Sequence, residues 1–142
     1  MSERNVELHR RVIEAYNARE IEQLVALCDP GVEWTSTFAA VGGGVYHGHD
    51  GMRSYLRDTE DVWGTEIHVE PEAFFDLGES TLAFHVLHGR GRGSGVEVAT
   101  PGAQVAKWRE GLVTYYEAYS HREDALRDLG VSEDELERSD PR

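Results

Sequence analysis

His85, Gln104 and Tyr116 are the residues whose types and spacing could do chemistry in this chain. Each falls at an alternate position of a β-patterned run, among apolar or small neighbours, as the polar groups of a small-molecule pocket do. An imidazole shuttles protons near neutral pH. A glutamine amide can hold a substrate carbonyl, though it exchanges no proton usefully. Tyr16 and Tyr116 add phenol donors to an apolar wall, which Trp34, Tyr55, Phe75, Leu87, Thr100 and Ser120 are expected to complete. A plainer reading stands beside this one: a hydrogen-bonded core histidine, an amide that satisfies it, and core aromatics whose hydroxyls reach water.

Other candidates are weaker. His47 and His49 would share a face if extended, but a zinc site wants a third ligand and only Asp50 is at hand, so no metal is expected. His85 and His88 point to opposite faces of a strand. Gly89–Gly95 has the glycines of a phosphate loop but precedes a β-patterned run rather than a helix. Arg90 and Arg92 read as solvated hairpin charges. Cys28 has no activating partner nearby and reads as core. Glu117 is the one acid within its run, and alternation points it away from Tyr116 and Ala118.

Three consecutive strands must position these groups: Thr81–Arg92, Val96–Arg109 and Leu112–His121, joined by turns at Gly93-Ser94-Gly95 and Glu110-Gly111. Before them, helical spacing predicts helices over residues 5–18 and 20–28, the second ended by Asp29-Pro30-Gly31 and turning Ile21, Leu24, Val25, Leu27 and Cys28 inward. A strand over Val32–Thr37, a small-residue loop at Ala39–Gly44 and a short pairing at Tyr46-His47 follow. A third helix over 51–62 is expected to take Asp50 as its N-cap. Glu66–Leu77 alternates as a half-buried strand, with Pro71 marking an edge or a bulge. Leu82, Phe84 and Val86 make the next strand apolar on both sides, so a second cover is expected, supplied by another copy of the chain in a homodimer. A short helix over 122–129 and a loose acidic tail at Ser132–Glu137 close the sequence.

With 14 Lys and Arg against 27 Asp and Glu, the net charge of −13 repels phosphate backbones and anionic lipid. Neither nucleic acid nor membrane is therefore expected as a partner. A charged start and a single cysteine suit a reduced, cytoplasmic protein.

In order along the chain, Asp29-Pro30-Gly31-Val32-Glu33-Trp34, Tyr46-His47-Gly48-His49-Asp50-Gly51-Met52, Arg90-Gly91-Arg92-Gly93-Ser94-Gly95 and His121-Arg122-Glu123-Asp124-Ala125-Leu126 resemble the SnoaL-like branch of the nuclear transport factor two-like superfamily. The resemblance implies an α+β cone, with three N-terminal helices on a strongly curved, mostly antiparallel sheet. It also implies a deep apolar pocket and a dimer, with residues 1–130 as one domain and 131–142 as an acidic tail. The known chemistries of such proteins do not transfer. The isomerases' oxyanion tyrosine falls at Val12, and their general base falls within Trp34-Thr35-Ser36-Thr37, which holds no acid. Their second acid and the polyketide cyclases' aspartate both fall at Gln104. The epoxide hydrolases' arginine and two aspartates fall at His85, Leu87 and Ala118.

Three functions remain open. The first is a binder of a ring-bearing or polyketide-like compound, with no cofactor. The second is a cofactor-free isomerase, cyclase or dehydratase using His85 as acid/base and Gln104 or Tyr16 to steady an enolate. The third is a non-catalytic domain docking a partner on its outer sheet face.

Overall fold

The computed structural model describes residues 2–36, 45–64, 67–90 and 95–139. The loop expected at Ala39–Gly44, the turn residues Gly93-Ser94 and the Arg92 charge lie outside them. The elements are α1 (Ser2–Asn17), α2 (Ile21–Ala26), β1 (Cys28–Ser36), β2 (Val45–His47), α3 (Gly48–Trp63), β3 (His68–Asp76), β4 (Ser80–Arg90), β5 (Glu97–Arg109), β6 (Leu112–Tyr119), α4 (Arg122–Leu129) and α5 (Glu133–Ser139). The strands form one sheet in the order β2-β1-β6-β5-β4-β3. Every pairing is antiparallel except β1 with β6. This is the expected α+β architecture.

Helices α1 to α3 lie on one face. Leu8, Val12 and Ile13 of α1, Leu24 and Val25 of α2, and Met52 and Leu56 of α3 share a core with Ala83, Leu87, Ala106 and Trp108 of the sheet. Alternation along β4 decides the faces: odd positions from Ala83 to Leu87 look toward these helices, and Leu82 and Phe84 look away. Strand β3 is an edge, and the register shifts between Pro71 and Ala73, so Pro71 marks both an edge and a bulge. Asn17 caps that edge: its side chain donates to Val69 O and accepts from Val69 N, both at 2.8 Å.

The β5–β6 turn needs two left-handed residues, Glu110 at φ 54° and Gly111 at φ 81°. Glycine adopts this region freely and glutamate does not. Replacing Glu110 by Asn is therefore expected to stabilise the fold by about 0.5 kcal/mol, seen as a higher Tm; an unchanged or lower Tm would count against this turn geometry.

Five expectations need correcting. Helix α2 stops at Ala26, because Leu27 O accepts from Val113 N (2.9 Å) and Cys28 opens β1 by pairing with Val113. A register irregularity between Cys28 and Glu33 then takes up Asp29-Pro30-Gly31, where proline has no N–H for the ladder. Ile21, expected inside, is 39% exposed at the start of this short helix. Asp50 is not the N-cap of α3: the helix begins at Gly48, and Asp50 pairs with Arg53 Nη1 at 2.8 Å within the first turn. The tail is not loose, because Glu133–Ser139 is helical and Leu136 is buried. Finally, the second cover of β4 is intramolecular. Phe75, Leu82, Phe84, Val105 and Tyr119 pack with Ala125 of α4 and Leu136 of α5, so the two-sided apolarity of β4 needs no second subunit.

Candidate functional site

Between the helices and the inner sheet face lies a cavity of about 30 Å³, room for about two waters. Helix α1 presents Val12, Ile13 and Tyr16 to it at helical spacing, and α3 presents Tyr55. Strand alternation supplies Trp34 from β1, His85 and Leu87 from β4, Gln104 from β5, and Tyr116 and Ala118 from β6. Ile67 and Val69 close the β3 side. No aspartate or glutamate is among the described residues that line it. Val12, Trp34, His85, Leu87, Gln104 and Ala118 all reach the wall.

Of the expected wall residues, Tyr16, Trp34, Tyr55, Leu87 and Tyr116 are there with His85 and Gln104; three are not. Phe75 is on the opposite face, in the cluster under α4 and α5. The bulge after Pro71 adds one residue to β3 and reverses the alternation, which puts Phe74 inward opposite Ala83 and Phe75 outward opposite Leu82. Thr100 pairs with Leu87 but is not among the residues that line the cavity, and it is half-buried. Ser120 follows the last residue of β6 and is half-buried as well.

His85 has room for its ring only because Gly102 lies opposite. A Cβ at 102 would come within 2.8 Å of His85 Nε2 and 2.6 Å of Tyr119 O. Behind the sheet, Arg122 of α4 donates through Nη2 to His85 O (2.7 Å) and through Nε to Gly102 O (3.0 Å), and pairs with Glu72 at 2.7 Å. Burial, helped by the Arg122 charge and opposed by Glu72, lowers the His85 pKa from 6.5 to about 4. The imidazole is neutral at physiological pH.

A second buried histidine escaped the sequence reading. His9 lies one helical turn before Val12 and Ile13 and two before Tyr16, so the same periodicity that places those residues could have found it. It is fully buried against Phe74, Trp108 and Tyr116. Its Nδ1 lies 2.8 Å from Thr81 Oγ1 and its Nε2 lies 3.0 Å from Tyr116 Oη. Trp108 Nε1 donates to the same Thr81 oxygen, and the Tyr116 hydroxyl donates to Gln104 Oε1. Five side chains from α1, β4, β5 and β6 thus make one polar chain that ends at the cavity wall. Burial drives the His9 pKa down to about 3, against the raising effect of the Gln104 hydrogen bond and with the help of His85.

The aromatic wall is tightly packed. Trp34 and Tyr116 are partners across the parallel β1–β6 pair, and their rings stack with centroids 4.0 Å apart and planes 6° apart. Tyr55 leans on Trp34 at 5.6 Å. Burial holds the phenols of Tyr16 and Tyr116 well above their ordinary pKa, so both remain neutral donors.

The other candidates lie outside the cavity. Glu117 is on the outer face, where the hydroxyls of Tyr115 and Tyr119 donate to it. His47 approaches Glu33 at 4.0 Å, while His49 sits in α3 with Nε2 2.8 Å from Cys28 O, so the two do not face one site. Among the described residues no group of three or more His, Cys, Asp or Glu could hold a metal ion. Arg90 pairs with Glu97 across the hairpin. The Cys28 thiol is pushed up to about 12 by burial and stays protonated. No helix among the described residues is long and apolar enough to cross a membrane.

Three N-terminal helices on one face of a mostly antiparallel six-stranded sheet, with a cavity between, define the nuclear transport factor 2-like class of fold. An NTF2-like protein of unknown function from Burkholderia pseudomallei K96243 shares it at TM-score 0.75, with 21% identity and coverage of 87% of this chain and 95% of that one. TerC, co-crystallised with polyporic acid, gives TM-score 0.74 and 22% identity over 89% and 97%. A hypothetical protein with a ketosteroid isomerase-like fold from Catenulispora acidiphila DSM 44928, in complex with trimethylamine, gives 0.72 and 17% over 90% and 95%. Within this class the sequence matches the SnoaL-like domain over residues 9–116, and the chain belongs to that family. A search among curated proteins found no match.

Proposed function

We propose that the chain binds a small, neutral, mainly apolar molecule in the cavity between its helices and its sheet, with Gln104 and Trp34 orienting the polar end. The observation that carries this reading is the lining itself. It consists of aromatic and aliphatic side chains with a few polar groups that are uncharged at neutral pH, and no carboxylate among the described residues. The cavity as it stands has room for about two waters, so even a single ring or a short chain has to displace a wall side chain such as Tyr55 or Leu87 to enter. Polyporic acid on TerC and trimethylamine on the Catenulispora protein agree with small organic ligands for this fold.

The isomerase, cyclase or dehydratase reading ranks second, because an imidazole lowered to about 4 is a weak base for proton abstraction. For the docking-domain reading and the outer-face homodimer, Leu82 and Phe84 are already packed under α4 and α5. The proposal includes no cofactor, and a reduced, cytoplasmic setting suits the buried, lone Cys28.

Thermal unfolding with a set of neutral one-ring ketones, ethers and hydrocarbons tests the reading. A compound at a hundredfold its Kd is expected to add about 2.7 kcal/mol, a Tm rise of several degrees. Leu87→Phe, which narrows the cavity, is expected to abolish the rise. No shift with any compound, or an undiminished shift in Leu87→Phe, would overturn the proposal.

A further inference from the structure

We infer that the cavity selects ligands that accept a hydrogen bond, because the buried side-chain chain behind it fixes the Gln104 amide with its NH₂ group toward the ligand. This rests on the binding reading above and specifies what that site recognises.

The polarity starts at Trp108, whose indole N–H can only donate and does so to Thr81 Oγ1 at 2.8 Å. Thr81 is fully buried. Among the described residues, the one acceptor within reach of its hydroxyl proton is His9 Nδ1, also at 2.8 Å. Nδ1 therefore accepts, and the His9 proton sits on Nε2. That N–H faces Tyr116 Oη at 3.0 Å with Gln104 also within its reach, and the Tyr116 hydroxyl donates to Gln104 Oε1, so the amide oxygen is the acceptor on which both converge. With its oxygen engaged, the amide turns its two N–H donors to the cavity that Gln104 lines. Run the other way, the chain would leave the buried Thr81 proton with no acceptor among the described residues, an arrangement folded proteins avoid.

A second donor points the same way. Trp34 is 2% exposed and lines the cavity, and its Nε1–H has no hydrogen-bond partner among the described residues. An indole N–H and an amide NH₂ suit a carbonyl or ether oxygen. A ligand that offers only an N–H would leave both unanswered.

Five-membered rings of similar size separate the possibilities. Cyclopentanone accepts, pyrrole donates and cyclopentane does neither. Cyclopentanone is expected to bind the full chain at least about tenfold more tightly than either of the others, a difference of about 1.4 kcal/mol. Thr81→Ser, which keeps the hydroxyl, is expected to preserve that ratio. Thr81→Val, which removes the proton that directs His9, is expected to cut it to about threefold or less.

Nitrogen-15 NMR of the His9 ring reads the wiring without any ligand, so it holds even if Thr81→Val fails to fold. A proton on Nε2 with Nδ1 bare is the expected state. A proton on Nδ1, or pyrrole binding as well as cyclopentanone, would overturn the inference. If none of the three rings binds while His9 is protonated on Nε2, the binding reading fails and the wiring stands.

Discussion

Taking the protein from about pH 8 to about pH 5 is expected to remove about 4 kcal/mol of folding stability through two histidines. His9 and His85 have ordinary imidazole pKa values of 6.5 in the unfolded chain and about 3 and about 4 in the fold. Below 6.5 the unfolded chain takes up protons at both sites and the fold does not. The unfolded state therefore binds more protons, and stability falls as acid is added until the folded values are reached. Such a loss is a large part of the total for a domain of this size, roughly 5–15 kcal/mol.

Urea midpoints across this range measure it, and His9→Phe isolates one of the two contributors. That variant should be less stable than the parent near neutrality by about 1–3 kcal/mol, since the Thr81 hydroxyl loses its acceptor. It should also lose only about half as much stability on acidification. Equal pH slopes in the two proteins would show that His9 does not resist protonation.

The next largest effect is expected from one added methyl group. Gly102→Ala should cost about 3 kcal/mol, the upper end of the range for overpacked cores. The new Cβ would lie 2.6 Å from Tyr119 O, and a backbone oxygen in a paired strand cannot swing aside as a side-chain tip does. The other collision, with the His85 ring, predicts a second readout: the imidazole NMR signals of His85 should move in the variant, because its ring must leave the space over position 102. A cost below about 0.5 kcal/mol would mean that β5 and β6 are spaced more widely than described.

Much of this site was legible in the sequence because strand alternation is a rigid rule. His85, Leu87, Gln104, Tyr116 and Ala118 reach the cavity by counting in twos along three strands joined by turns whose residues mark them. Phe75 was misplaced for the same reason. One inserted residue after Pro71 reverses the count, and proline announces that a strand is irregular without saying where the extra residue falls. The start of β1 was hidden by Asp29-Pro30-Gly31, whose residues favour a chain reversal; the pairing of Leu27 and Cys28 with Val113, more than eighty residues away, overrides that preference.

The cover on the outer sheet face was missed because α5 is acidic and holds its apolar contact in Leu136, too little for a periodic signal. Neither His9 nor the direction of its hydrogen bonds could be read as a site from one residue in a helix. The network exists only once α1 crosses β4, β5 and β6, and the indole of Trp108 gives it a sense.

An uncharged chamber is what the binding proposal depends on, and a proton NMR titration of the His85 ring tests it most directly. A midpoint near 4 is the predicted result, with the ring neutral throughout the physiological range. A midpoint at or above the ordinary 6.5 would contradict it, since burial alone lowers an imidazole and only a carboxylate or solvent reaching the ring would undo that shift.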